Sequence, residues 1–533
     1  MKLFSHLYCA LVLLWALQMA LPSQAADADE LESLRETTQR LIQLMVEQGV
    51  LTQEKADALL AEAKRNREAK AAAAKEEAKT SAVQDEGKTA AKASPKDQNI
   101  VRVPLIPETV KNEIREQVKQ EVLTQAKTER WGEPGAIPEW LDRIKLDGDI
   151  RLRLQADRFG KSNETPETLK LNGIDVKNST ENRQRLRLRG RLGLQAKLTD
   201  KLSANFRIAT GSLDDPVSTN VTQGNYNNRF TVAMDRAYLQ YRPNSWLTIT
   251  GGRVPNPWLH TDLVWDEDLN FDGLHANVRH RMFRDSVTGF LTIGAFPIQN
   301  VDSSNTNRAK SKWLYGVQGG AEWVQSSRAS YKFGLGLYDF KNIQGKPNLT
   351  LGSNSQDDTA PQFRQKGNSV FNVDNDGNPD TNRYGLAAKF RELNLTAMAD
   401  FAAFDPIHIV VAADYVKNIG YDQSEIRDRT GFDIESKTKG YQARVTVGMP
   451  VIQNKYDWNT YFAYKYLERD AVVDAFSESD FRLGGTDSKG YIVGGNYGLD
   501  KNFWLSAKWL SADAIHGPTF SVDVFQVDLN ARF

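Results

Sequence analysis

From residue 144 the chain alternates with a period of two. In residues 144–154 every even position is apolar or glycine (Ile144, Leu146, Gly148, Ile150, Leu152, Leu154), and every odd one is charged. Residues 183–198 repeat the pattern, with Leu186, Leu188, Leu192, Leu194, Ala196 and Leu198 set against Arg183, Arg185, Arg187, Arg189, Arg191 and Lys197. Successive side chains of a strand point to opposite faces, so each segment reads as a strand with one apolar and one polar face. A soluble half-buried sheet can produce one such strand. Many of this length fit a bilayer, which needs about 9–11 tilted residues per crossing.

Alternation and turn signals predict roughly sixteen strands. They lie near 143–155, 184–198, 202–210, 230–242, 246–254, 271–281, 284–296 and 312–325, then 328–340, 383–403, 406–418, 438–450, 456–467, 488–499, 502–511 and 520–533. Pairing across the turn at 199–201 sets Leu194 opposite Phe206 and Leu192 opposite Ile208 on one face. On the other it sets Gln195 opposite Asn205 and Arg191 opposite Ala209, so both faces stay consistent. Connections alternate between short (243–244, 326–327, 405–406, 454–455, 500–501) and long (156–183, 211–229, 255–270, 341–382, 419–437, 468–487). Short turns on one side and long loops on the other are the outer-membrane pattern.

Trp246, Trp323, Trp458 and Trp504 fall close to short turns and Trp140 falls where the first strand begins, as an interfacial girdle requires. The final strand alternates too, with Phe525, Val527, Leu529, Ala531 and Phe533 against Gln526, Asp528, Asn530 and Arg532. The expected fold is all-β: a transmembrane antiparallel up-and-down β-barrel of about sixteen strands over 140–533, preceded by a periplasmic helical segment.

The first residues carry a secretory pattern. Lys2 precedes a short apolar run, and Ser23, Gln24 and Ala25 offer a cleavage site, so 1–25 reads as a signal peptide. Residues 26–64 read as a helical hairpin or short coiled coil, with Leu31, Leu34, Thr38, Leu41, Met45 and Gln48 at heptad spacing and Gly49 as a stop. The stretch 65–99 is an Ala/Lys/Glu-rich linker. In 100–139, Val110, Ile114, Val118 and Val122 share one helical face, giving a helical connector.

Composition narrows the function classes. The 533 residues hold 68 Lys plus Arg and 68 Asp plus Glu, a balance that argues against nucleic acid as partner. The only cysteine, Cys9, lies in the signal segment, so stability is expected from backbone pairing rather than disulfides. No apolar run of about 18 residues follows Leu21, which excludes helical spans but not strands.

The arginine row is the sharpest chemical feature. Residues two apart on a strand stand about 6.6–7 Å apart on one face. Arg183, Arg185, Arg187, Arg189 and Arg191, with Arg151, Arg153 and Arg207 nearby, therefore form a like-charged ladder that lipid would reject. Facing the lumen, it would attract anions. Asp147, Asp149 and loop carboxylates could instead neutralise it.

Between two strands, Asp266, Glu267, Asp268 and Asp272 concentrate negative charge. Folded inward, that loop would set a transverse field at a constriction; left outside, it is a solvated loop. Residues 374–380 have the oxygen-rich look of a calcium loop but lack the closing Glu, and turn chemistry explains them as well. The histidines are scattered, and His260-Thr261-Asp262 has no identifiable serine beside it, so neither a metal site nor a catalytic set emerges. No cofactor is expected, and no enzyme activity.

With these residues in view the chain resembles a family: bacterial putative porins, similar to the phosphate-selective porins. The resemblance rests on the N-terminal Leu-rich helical segment, Ile137-Pro138-Glu139-Trp140, Asp235-Arg236-Ala237-Tyr238-Leu239-Gln240-Tyr241, Gly252-Arg253, Asn256-Pro257, Trp265-Asp266 and Phe533. It covers most of the chain beyond the signal segment through short motifs. It implies a sixteen-stranded barrel in the outer membrane, assembled as a homotrimer, with passive passage of small hydrophilic solutes or inorganic anions. Phe533 would be the signal read by the barrel-assembly machinery. No lysine cluster of a dedicated phosphate site is present. The competing expectation is a plugged structural or adhesive barrel whose long loops bind external partners; an outer-membrane hydrolase comes third.

Overall fold

The alternation decides the architecture. The computed structural model describes residues 143–282, 286–378 and 381–533. The signal segment, helical hairpin, linker and helical connector expected before them lie outside the described residues, as does Trp140.

The strands run in chain order as β1 (Ile144–Phe159), β2 (Arg183–Lys197), β3 (Leu202–Thr210), β4 (Val221–Thr222), β5 (Val232–Asn244), β6 (Leu247–Pro255) and β7 (Asn270–Met282). Next come β8 (Val287–Gln299), β9 (Lys312–Ser326), β10 (Ala329–Lys341), β11 (Val370–Asn372), β12 (Tyr384–Leu386) and β13 (Arg391–Phe404). The series ends with β14 (Ile407–Asn418), β15 (Lys439–Gly448), β16 (Trp458–Leu467), β17 (Ser488–Asp500), β18 (Phe503–Ala514) and β19 (Ser521–Arg532). Short helices α1 (Pro166–Leu171) and α2 (Gln423–Thr430) sit in two of the long connections.

Long strands pair antiparallel with their neighbours, and β1 pairs with both β2 and β19. With the short β4, β11 and β12 set aside, this is a closed barrel of 16 strands. Closure leaves no open edge, which is what hydrocarbon demands of a sheet. The outward positions of β1 (Leu146, Ile150, Leu152, Leu154) are exposed, while the inward Arg153, Gln155 and Asp157 are buried. The β2–β3 register pairs Leu194 with Phe206, Leu192 with Ile208, Gln195 with Asn205 and Arg191 with Ala209. Trp246, Trp323 and Trp458 are exposed at the ends of strands joined by short turns.

One expected strand divides. Of the stretch read as 383–403, only Arg391–Phe404 enters the barrel wall. Tyr384–Leu386 pairs instead with Val370–Asn372, and Leu386, Ala387, Ala388 and Phe390 are almost fully buried. The apolar positions continue across the break, so periodicity alone could not locate it.

The seam holds the chain's last residue. Phe533 and Gly148 exchange backbone hydrogen bonds of 3.0 Å in both directions. The Phe533 ring lies so close over Gly148 that a Cβ there would meet it at 2.4 Å. Deleting Phe533 removes two hydrogen bonds and the ring that covers the seam. The expected result is a marked fall in folded, membrane-inserted protein, scored by heat-modifiable migration on a gel. Normal assembly of the deletion would refute a role for the terminal residue.

Candidate functional site

The inward face of β1 and β2 is where charge collects. Their register sets Arg151 opposite Arg189 and Arg153 opposite Arg187, like charges that repel across a strand pair. Carboxylates relieve them from two sources. The wall itself supplies Asp149, 2.8 Å from Arg189 and 2.7 Å from Arg191, and Asp157, 3.3 Å from Arg185. Asp528 of β19 lies 2.8 Å from Arg153, and Asp235 of β5 pairs with Arg207. The loops supply the rest.

Residues 256–269 turn inward and cross the lumen. Leu259 is clamped by Gln318 of β9, whose side-chain oxygen accepts from its N–H at 2.7 Å and whose amide donates to its carbonyl at 2.8 Å. Thr261 donates its hydroxyl to Asp414 of β14 at 2.7 Å. Asp262 accepts from Gln442 and lies 3.2 Å from Arg444, both on β15, while Lys465 of β16 donates to its carbonyl. The loop then returns to β2, where Asp268 sits 3.2 Å from Arg191 and 3.9 Å from Arg189. Thr261 and Asp262 are therefore tethers, while His260 donates from Nδ1 to the Thr261 carbonyl at 3.2 Å.

The four candidate loop acids part company. Asp268 faces the arginines, while Glu267 is exposed. Asp272 lies on β7, 3.1 Å from Arg253. Asp266 is buried and accepts from the Ser479 N–H at 2.9 Å, joining this loop to residues 468–487. Burial pushes the Asp266 carboxyl well above the usual carboxylate range, with Asp268 adding to it.

The 468–487 loop is the second inward segment. Its Asp480 reaches Arg153 at 3.0 Å, Lys508 of β18 at 3.2 Å and Arg187 at 4.0 Å. Burial works to raise this carboxyl, but the field of Arg153, Lys508 and Arg187 holds it well below its ordinary value. Between the loops and the wall lies an apolar cluster in which Trp265 meets Phe271 edge-on at 5.3 Å and Tyr338 at 5.2 Å. Phe340 and Phe476 stack at 6.0 Å beside it. Such a cluster fixes both loops by burial.

Of the ladder, Arg153, Arg185, Arg187, Arg189, Arg191 and Arg207 thus have carboxylates within 4.0 Å. Arg151 donates instead to Asn220 at 2.6 Å, and Arg183 is exposed at the far end. Asp262, Asp480, Arg444, Lys465 and Lys508 were not foreseeable from spacing. One signal was present: Ala471, Val472, Val473, Phe476 and Phe481 are too apolar for a loop left in water. The residues 374–378 resolve as turn chemistry, Asp376 accepting from the Asn378 N–H and the Thr381 hydroxyl. Pro379 and Asp380 lie outside the described residues.

The docked loops should respond to pH. Burial raises Asp470 to about 6 and also raises Asp266, Asp474 and Glu478. The charged groups facing them are Arg469, Asp268, Arg364, Lys366, Lys465, Lys508, Asp480 and Asp262. A carboxyl whose docked value is raised stabilises docking fully below its ordinary value and loses that contribution as pH rises through the docked one. Asp262, Asp268 and Asp480 are lowered and oppose this only below the ordinary carboxylate range. Tryptic cleavage after the buried Arg482 should therefore be faster at pH 8 than at pH 6, by about twofold from Asp470 alone and in the same direction from the other raised carboxyls, corrected for the protease's own pH profile. Equal corrected rates would refute the linkage.

The sequence matches the family described as "Putative porin" over residues 35–533. No curated protein compared with the chain matches it. Among solved structures, the chain is similar to the high-pH structure of Pseudomonas putida OprB, with 10% identity and a TM-score of 0.43 over 75% of this chain and 96% of that one. It is also similar to Salmonella typhi OmpF in complex with daunomycin, with 11% identity and a TM-score of 0.40 over 73% and 97% of the two chains. An anion-selective porin from Comamonas acidovorans matches with 10% identity and a TM-score of 0.38 over 73% and 99%.

Proposed function

Because the chain belongs to the "Putative porin" family, and so is an outer-membrane channel, we propose that it passes small hydrophilic solutes by passive diffusion with a preference for anions. The observation that carries this reading is the arginine row on the inward face of β2, continued by Arg151, Arg153 and Arg207. Asp268 and Asp480 face that row from two crossing loops, which supports a constriction with a transverse field. Arg151, bonded to Asn220, and the exposed Arg183 keep positive charge outside the ion pairs. The wider reading includes a homotrimer, a periplasmic N-terminal segment and delivery by the barrel-assembly machinery through the last strand, all expected from the family resemblance.

A second reading has its own support. The apolar cluster around Trp265, Tyr338 and Phe476 fills part of the lumen, as a plugged structural or adhesive barrel would need. Purified protein in a planar bilayer under a salt gradient separates the two. Stepwise currents with an anion-favouring reversal potential support the porin. Silence from a folded, inserted barrel favours the plug.

A further inference from the structure

One cavity near the long-loop end of the ladder has a composition that a simple ion path does not require. It encloses about 370 Å³ between the ends of β1 and β2 and the segments 363–366 and 479–483. Six cationic side chains line it against four carboxylates (Asp157, Asp175, Asp215 and Asp480), an excess of positive charge. Asp157 and Asp480 are already engaged by Arg185, Arg153 and Lys508.

Two of the cations stand outside ion pairs. Arg183 and Arg364 have no ion pair among the described residues; Arg364 lies over the Tyr384 ring at 5.8 Å, and its buried Nη1 has no hydrogen-bond partner. Lys366 is 4% exposed, and its ammonium donates to the Leu483 carbonyl at 2.6 Å. A buried donor left unmade is costly, so such a group needs a ligand or water.

The rest of the wall is mixed, with Gln155, Asn178, Ser218, Gln365 and Ser479 beside an apolar part that holds three phenylalanines. Phe159, Phe363 and Phe520 line it with Val217 and Leu483. Phe363 also borders two adjoining cavities, one of about 750 Å³ in which Asp214, Asp215, Asp235, Asp268 and Asp272 face a single Arg253. A hydrated inorganic anion gains nothing from a phenylalanine wall, and a neutral sugar leaves the guanidinium unmet. A carboxylate suits the fork of Arg364, and an attached ring suits Phe363.

We propose that this cavity is a binding site for small aromatic carboxylates, held at the carboxylate by Arg364 and Arg183 and at the ring by Phe363. The site rests on the channel reading for its place on a solute route, but not for its chemistry. An anion leaving it meets the acidic chamber beyond Phe363, so it dwells on the basic side.

The test uses the purified full-length protein with benzoate, acetate and inorganic phosphate as probes. Calorimetry reads binding whether or not current flows, and bilayer recording reads interruption of the current. Benzoate should bind about tenfold to a hundredfold tighter than acetate, the contribution expected from burying a ring. Phe363→Ala should erase most of that preference while leaving the acetate response. Arg364→Gln should weaken both carboxylates roughly tenfold or more, and Arg183→Gln, at an exposed position, gives the same direction with little risk to folding. Equal binding of benzoate and acetate, tighter binding of phosphate, or unchanged affinity in folded Arg364→Gln and Arg183→Gln would each overturn the proposal. A channel that conducts and ignores benzoate overturns the site alone. Benzoate binding to a silent barrel overturns the channel reading and leaves the site.

Discussion

Replacing Asp480 with asparagine should increase single-channel conductance and make it noisy. The substitution keeps the shape of the side chain and removes its charge. Arg153 keeps Asp528, but Lys508 loses its 3.2 Å partner and Arg187 its carboxylate at 4.0 Å. Breaking a buried pair by removing one partner costs about 3–5 kcal/mol. Asp480 keeps 15% of its side-chain exposure, so the lower part of that range is appropriate. Even about 3 kcal/mol shifts the docked-to-undocked ratio of the 468–487 loop on the order of a hundredfold. Because Asp266 bonds Ser479, the 256–269 loop loses a support as well. Cleavage after Arg482 should quicken in parallel. A variant with wild-type conductance and wild-type protease resistance would show that Asp480 does not hold the loop.

The second large effect concerns selectivity. Changing Arg187, Arg189 and Arg191 together to serine should move the reversal potential from the anion side toward the cation side, with assembly intact. The removed charges leave carboxylates behind: Asp149 and Asp268 each lose both of their arginine partners. Asp480 keeps Arg153 and Lys508, so the 468–487 loop stays tied. The lipid-facing side of β2 is untouched, which is why folding should survive. An unchanged reversal potential in the folded variant would mean that the row is structural and that ions pass elsewhere.

These two experiments also mark the boundary of what the sequence revealed. Alternation in residues 183–198 was enough to place Arg191 opposite Ala209 and Leu194 opposite Phe206, because one slipped residue would turn every leucine of β2 into the lumen. The barrel wall is legible for that reason: hydrocarbon accepts only one phase of the pattern. The loops obey no such rule. Asp480 finds Arg153 across more than half the chain, and Asp262 finds Arg444 and Lys465 on strands that follow much later. Nothing in local spacing encodes those meetings. The arginine row and two of its carboxylates, Asp149 and Asp268, were therefore visible, whereas Asp480 and Asp528 were not. The break before Arg391 was hidden for a related reason, since the buried Leu386 and Phe390 satisfy the wall's apolar pattern while belonging to the lumen.

The Gly148–Phe533 seam has a consequence in time. The pairs that close the ring, from Asp149 with Arg532 to Phe159 with Val522, join the first strand to the last. Contacts between chain ends carry the largest loop-closure entropy and form slowly. Until residue 533 arrives, β1 presents one unpaired side along its whole length, a template for any passing strand. Completion of the cylinder is then a late event, because it joins β1 to a strand more than 360 residues away.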